Sequence, residues 1–377
     1  MITIREVTSK RDAMRFIKMP WLVYKNDPYW IPPLIFDMKN TLAGPLGRKM
    51  KHPFFEFGEV AFFIAERDGV VVGRIDAHIN HNHNKHYNTK DGFFGFFECM
   101  DDEEAAKALF AKAEEWCRSK GAVRMIGPMN FTIYDEIGIL AEGFDNEPKM
   151  PIILEMYNPK YYPELLAKSG YGKDIDWLSF LVSKDVKIPE IVGKIKDRLI
   201  SKGFVFRCLN MKKLEQEVNS VKDTINTAWS ENWGHVNYTD GQFDAIVEAL
   251  KLIVDPRFVF IVEKDGQAIA CSITLPNINP SLKKMNGRLF PFGWWHFLRS
   301  KKHADGLRTF LFGVRHEYRN RGIDAVLVMD TINSGHKAGY DWSSCSIIVE
   351  NNIKMIQPVL DWGGKEIKRY RIYTKGL

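Results

Sequence analysis

Residues 311–325 read Leu-Phe-Gly-Val-Arg-His-Glu-Tyr-Arg-Asn-Arg-Gly-Ile-Asp-Ala, and they carry the clearest chemical capacity in the chain. An apolar run of strand type, residues 309–314, gives way to charged and polar residues, then to Gly322, then to helical apolar periodicity reaching Ala338. A strand, a basic turn and a helix start leave several backbone N–H groups without intrahelical partners at the positive end of the helix dipole. Such a turn suits a phosphate. Gly322 lets the backbone approach an anion closely, and Arg319 and Arg321 supply charge around it. The same residues could equally form a solvated basic turn between strand and helix.

Other stretches hold reactive or binding side chains. His78, His81, His83 and His86 could share one side of an extended segment and bind zinc or nickel. A polar hairpin tip accounts for the same composition, and no metal site is expected. Residues 127–156 form a connection too long for a plain turn, with Asn130, Tyr134, Asp135 and Glu136 as its polar groups of interest. Residues 289–298 are an aromatic run followed by Arg299, Lys301, Lys302 and His303. That run could be a lid over a hydrophobic acceptor, a homodimer contact, a membrane-surface patch or simply buried packing.

The turn at Gly322 resembles the acyl-CoA pyrophosphate loop of the GNAT N-acetyltransferase superfamily: a strand ending in Val, then Tyr-Arg, then Arg/Gln-x-x-Gly-x-Gly/Ala. Val314, Tyr318, Arg319 and Gly322 sit at that spacing. His316 stands where the family usually has proline, and Asp324 where it has the last Gly/Ala. A carboxylate there repels a diphosphate unless it turns away to cap the helix. The family's downstream segment, Asn-x-x-small-x-x-Leu-Tyr-x-x-x-Gly-Phe, is matched in spacing from Asn352 through Met355, Pro358 and Val359 to Gly363 and Gly364. Val359 replaces the tyrosine that usually protonates the departing thiolate.

The resemblance implies that Val314 offers backbone groups to the pantetheine arm of acetyl-CoA or another acyl-CoA. It implies that Arg319, Asn320, Arg321, Gly322, Ile323 and Asp324 hold the diphosphate mostly through main-chain N–H, with Asn352 also on the cofactor side. Glu350 follows the strand at residues 342–349, near where that strand should part from residues 309–314, and is the candidate general base. It could equally serve as a carboxylate at the next helix start. Tyr370 and Tyr373 on the last strand are the candidate acids.

The elements that position these groups are repeated within the chain. Residues 64–73 and 261–270 align without a gap, each a strand, an Asp-Gly hairpin turn and a second strand. The helix from Glu103 to Lys120, closed by Gly121, corresponds to the helix after Gly322, closed by Gly339. Asn158, Tyr161, Tyr162, Leu165, Gly170 and Tyr171 repeat the spacing counted from Asn352. The expected fold class is α/β: two tandem GNAT-like domains, each a mixed twisted sheet flanked by helices. Residues 1–185 form a degenerate copy with an extended N-terminal arm around Tyr24 and Pro33, and residues 186–377 form the acyl-CoA-binding copy. The first copy has an acidic turn, from Glu98 through Asp101, Asp102 and Glu103 to Glu104, which is unsuited to a diphosphate.

Composition bounds the function. Apolar residues make up 45% and charged residues 27% of the 377 positions, and no apolar run reaches membrane-span length. The cysteines, five and scattered, read as reduced thiols of a cytoplasmic protein. A net charge of +6 fits an anionic co-substrate and does not indicate nucleic acid. The expected function is an acyltransferase, in the resemblance an N-acetyltransferase, moving an acyl group from acyl-CoA to a small-molecule or peptide amine held between the halves. A non-catalytic acyl-CoA-binding regulator and a FemABX-like aminoacyl transferase are the alternatives.

Overall fold

The structure is a computed structural model describing residues 1–46 and 52–377. It is an α/β fold with the tandem arrangement the repeats predict. The strands of the first half are β1 (Ile2–Glu6), β2 (Gly58–Arg67), β3 (Val70–Asn80), β4 (Asp91–Cys99), β5 (Arg124–Gly127), β6 (Ile139–Glu142) and β7 (Gly172–Ser183). Those of the second half are β8 (Phe204–Cys208), β9 (Val259–Lys264), β10 (Gln267–Pro276), β11 (Leu307–Val314), β12 (Trp342–Val349) and β13 (Lys365–Gly376). The chain forms two compact units: Met1–Trp177 with Leu282–Phe297 and Lys368–Leu377, and Leu178–Ser281 with Leu298–Ile367.

In the first unit the strands run β1-β2-β3-β4-β5-β13. Asp68 and Gly69 turn β2 into β3 with φ of 51° and 81°, the double left-handed geometry that Asp-Gly hairpins favour. The inner face, with Phe63, Ile75, Ala77 and Phe94, packs on Ala106, Leu109, Phe110 and Ala113 of the helix Glu103–Ser119. Burying each of the Phe, Ile and Leu side chains contributes about 1.5–3 kcal/mol, so this helix face sets the domain's core. The acidic turn before the helix is internally satisfied. Asp102 caps the helix through Ala105 N–H, and Arg67 pairs with Asp102 at 2.9 Å and Glu104 at 2.8 Å. β4 and β5 pair in parallel from Asp91↔Arg124 to Phe93↔Ile126. Past that point the chain after β5 takes over: Met129 N donates to Phe94 O at 2.8 Å, and Phe96 N donates to Asn130 Oδ1 at 2.7 Å.

The second unit runs β12-β11-β10-β9-β8, again with an Asp-Gly hairpin, at Asp265 (φ 52°) and Gly266 (φ 79°). Side chains alternate across β11. Val314 packs with Ile323, Val326 and Leu327 of the helix Ile323–Ala338, while a Cβ at Gly313 would touch Ala228 and Ile225 of the helix Leu214–Ala228. One helix therefore covers each face. The closing glycines match as well: Gly121 has φ of 85° after the first-unit helix and Gly339 has φ of 83° after Ala338. Among the described residues no helix is long and apolar enough to cross a membrane.

Candidate active site

Around Gly322 the chain passes from a strand through a turn with left-handed residues into a helix. Parallel pairing of β11 with β12 runs from Leu307↔Ser343 to Thr309↔Cys345 and ends there, so the two strands part before Val314 and Val349. After Val314 comes a 3-10 turn, His316–Tyr318, then Asn320 at φ 60° and Gly322 at φ 81°, then the helix Ile323–Ala338. Left-handed residues flanking Arg321 give the kind of main-chain concavity that takes anions. No side chain caps this helix. The glycine is structurally required, because a Cβ there would lie 2.9 Å from Ile195 Cγ2 in addition to the unfavourable φ.

The charged side chains around the turn bond largely to neighbouring protein groups. Arg319 donates to Ala228 O at 2.6 Å and to Val314 O at 3.3 Å, and lies 3.3 Å from Glu231, so its guanidinium ties the turn to the end of the helix Leu214–Ala228. Arg321 is exposed, donates to Glu317 O at 3.1 Å and covers the Tyr318 ring at 5.3 Å. Its charge stays at the mouth of the turn. Asp324 is half-buried in the first helical turn. His316 reaches Ser230 Oγ at 2.9 Å. Arg315, which the sequence did not single out, pairs with Asp223. Glu350 occupies the turn after β12, and Asn352 N donates to Val349 O at 2.9 Å to begin the helix Ile353–Asp361. The left-handed Gly322 and a helix start that no side chain caps are compatible with an anion at Asn320 to Asp324.

A buried polar network in the first unit was largely missed from sequence. Glu98, at the end of β4, accepts from Tyr24 Oη at 2.9 Å and Tyr162 Oη at 2.6 Å, with Arg74 at 3.8 Å. Burial raises the Glu98 pKa despite the Arg74 charge, and burial lowers that of Arg74. Glu136 accepts from Asn130 Nδ2 at 2.8 Å, so two of the loop residues flagged in the sequence do meet, beside Arg74. Nearby in chain, Asp76 and His78 lie on one face of β3 with His78 Nδ1 2.8 Å from Asp76 Oδ2, both fully buried. His78 packs on Phe93, Phe54 and Phe131, and its Nε2 has no hydrogen-bond partner among the described residues.

The histidines do not converge. His81–Tyr87 is a helix capped by Asn80, so the extended segment expected there ends at β3. His81 lies 3.1 Å from Glu59, and His83 lies 3.5 Å from Asp91. No group of three or more His, Cys, Asp or Glu among the described residues is placed to hold a metal ion. Tyr370 donates to Glu155 at 3.0 Å within the first unit.

No protein-family model matches the chain. Over its full length it is 32% identical to a bacterial ceramide synthase of Caulobacter vibrioides, covering 98% of that protein. It is likewise 32% identical over 99% of its length to Protein YghO of Escherichia coli, of which 95% is covered. The chain belongs to the family of these two proteins. The fold of the chain matches solved structures of low sequence identity. A tandem GNAT protein from the clavulanic acid biosynthesis pathway matches all of the chain and 98% of its own length with a TM-score of 0.58 at 12% identity. A GCN5-related N-acetyltransferase from Sphaerobacter thermophilus matches with a TM-score of 0.52 at 13% identity, covering the whole chain and 95% of its own. The fold of this ceramide synthase and YghO relative is thus a tandem GNAT acyltransferase fold.

Proposed function

We propose that the protein is an N-acyltransferase of the cytoplasm that binds acyl-CoA in its second copy, residues 186–377. The proposed acceptor is the amine of a long-chain amino alcohol, the amine component of a ceramide. The observation that carries this reading is the end-to-end 32% identity to a ceramide synthase, joined to an uncapped helix start at Gly322 in the copy expected to bind the cofactor. Acyl-CoA supplies the acyl group as a thioester. The amine nitrogen bonds to the acyl carbon, the C–S bond breaks, and CoA leaves as thiolate. An alkylamine titrates near pH 10, so a base must take its proton, and Glu350 is the proposed acceptor of that proton. A thiol titrates near 8.5, so the thiolate can leave near neutral pH without strong acid assistance, which accommodates Val359.

The test is incubation of the purified protein with acetyl-CoA or palmitoyl-CoA and sphinganine dispersed in detergent, with the amide read by mass spectrometry and free CoA by thiol titration. The expected result is one amide per CoA released, falling at least a hundredfold in Gly322→Glu. Asp324 and Val359 favour a second reading, a protein that binds acyl-CoA without turnover. Calorimetric binding of acyl-CoA with no amide from any amine tested would select it.

A further inference from the structure

We infer that the aromatic segment in the insertion between β10 and β11 docks the protein on an anionic lipid surface. Phe290 is 77% exposed, Phe292 76% and Trp294 43%, in a protein whose other large rings are mostly packed inside. Side chains of this size gathered in one short segment, rather than scattered singly, mark an interaction surface.

The segment is held firmly at its base, within the first unit. Trp21 Nε1 donates to Asn286 Oδ1 at 2.8 Å, and Ile35 N donates to Gly287 O at 3.0 Å. Gly287, at φ 72°, leaves no room for a side chain, since a Cβ would lie 2.7 Å from Pro33 O. At the tip Trp294 N closes on Leu289 O at 2.7 Å. The rings are therefore presented on a braced loop, ready to insert without an ordering step.

Charge decides the occupant. No Asp or Glu stands anywhere between Asp265 and Asp305, and within the segment's own unit Lys283, Lys284 and Arg288 precede the rings. Face-to-face pairing with a second copy would set these cations against themselves. An anionic bilayer complements both features: Phe and Trp enter the headgroup boundary, and each Lys or Arg near the surface raises partitioning roughly fivefold. Such a surface would also place the protein where long-chain products dissolve, although the inference stands on the segment and not on the acceptor.

The experiment is sedimentation of the full chain with vesicles of phosphatidylcholine alone or mixed equally with phosphatidylglycerol, without acyl-CoA or amine, so that activity has no part in the result. The expected result is binding to the mixed vesicles that weakens with salt. It should fall at least tenfold in Phe290→Ser with Phe292→Ser, and at least tenfold in Lys284→Glu with Arg288→Glu, while both variants keep the parent's thermal unfolding and acyl-CoA affinity. A parent protein that stays in the supernatant with mixed vesicles overturns the inference. So does undiminished vesicle binding in folded variants, or a parent dimer that the variants split while vesicle partition is unchanged.

Discussion

Gly322 and Gly339 bracket one helix and share a left-handed backbone, yet their surroundings differ. A Cβ at Gly339 meets nothing within 4 Å, whereas at Gly322 it meets Ile195. Gly339→Ala is therefore expected to cost about 1 kcal/mol, the left-handed penalty alone, and Gly322→Ala more, by urea denaturation. Equal losses would mean that Ile195 yields freely. Glu98 gives a second measurement at this scale. Burial raises its folded pKa, so between the ordinary Glu pKa and the raised value the folded state binds more proton than the unfolded one, and its contribution to stability falls as pH rises through that window. Glu98→Gln keeps an acceptor for Tyr24 and Tyr162 but removes the titration. Its stability relative to the parent should rise from pH 4.5 toward neutrality; a flat difference would exclude the linkage. The Gly322 turn was legible because glycine and arginine spacing is local. The network around Glu98 was not, since Tyr24, Arg74, Glu98 and Tyr162 meet only through packing of distant segments.

Elements set which partners a side chain takes. Arg319 sits at a family position for phosphate charge, but its planar fork joins Val314 O, Ala228 O and Glu231, which links β11 to the end of the helix Leu214–Ala228. Arg319→Lys cannot span the same acceptors. It should lower stability by roughly 1–2 kcal/mol while reducing acyl-CoA affinity less than tenfold, because the main-chain N–H groups remain. A loss of affinity as large as that of Gly322→Glu, at unchanged stability, would return the cation to the phosphate. The first unit shows the converse arrangement. Asp102 fills the equivalent helix start with its own carboxylate, and the chain at Met129 and Asn130 occupies hydrogen-bonding positions along β4 past Phe93.

At the scale of the molecule the compact units do not follow chain order. Lys368–Leu377, which the sequence repeat assigns to the second copy, belong to the first unit, where Tyr373↔Gly127 and Thr374↔Ile126 pair β13 with β5. Arg371 donates to Asp176 at 2.8 Å, and Lys375 reaches Glu114 at 2.7 Å in the same unit. Deleting Lys368–Leu377 should therefore strip hydrogen-exchange protection from Arg124–Gly127 of the first unit before it affects β9 and β10 of the second. Protection lost first from β9 and β10 would contradict this assignment.

The sequence by itself determined whatever depends on neighbours in the chain: both Asp-Gly hairpins, both glycine-closed helices, the repeat they compose, and the strand-turn-helix passage at Gly322. Those features follow from backbone preferences and side-chain period, which act over a few residues. Only the tertiary structure decided which partners Arg319 and Glu98 take, that His78 lies buried against Asp76, and that the closing strand of the second copy completes the first unit. Those outcomes depend on which segments come together, and a buried polar group takes whatever partner the fold places within reach. The aromatic segment at residues 289–298 lies between the two cases. Its composition was plain in the sequence, while the exposure of Phe290 and Phe292 became known only when the rest of the core had been filled without them.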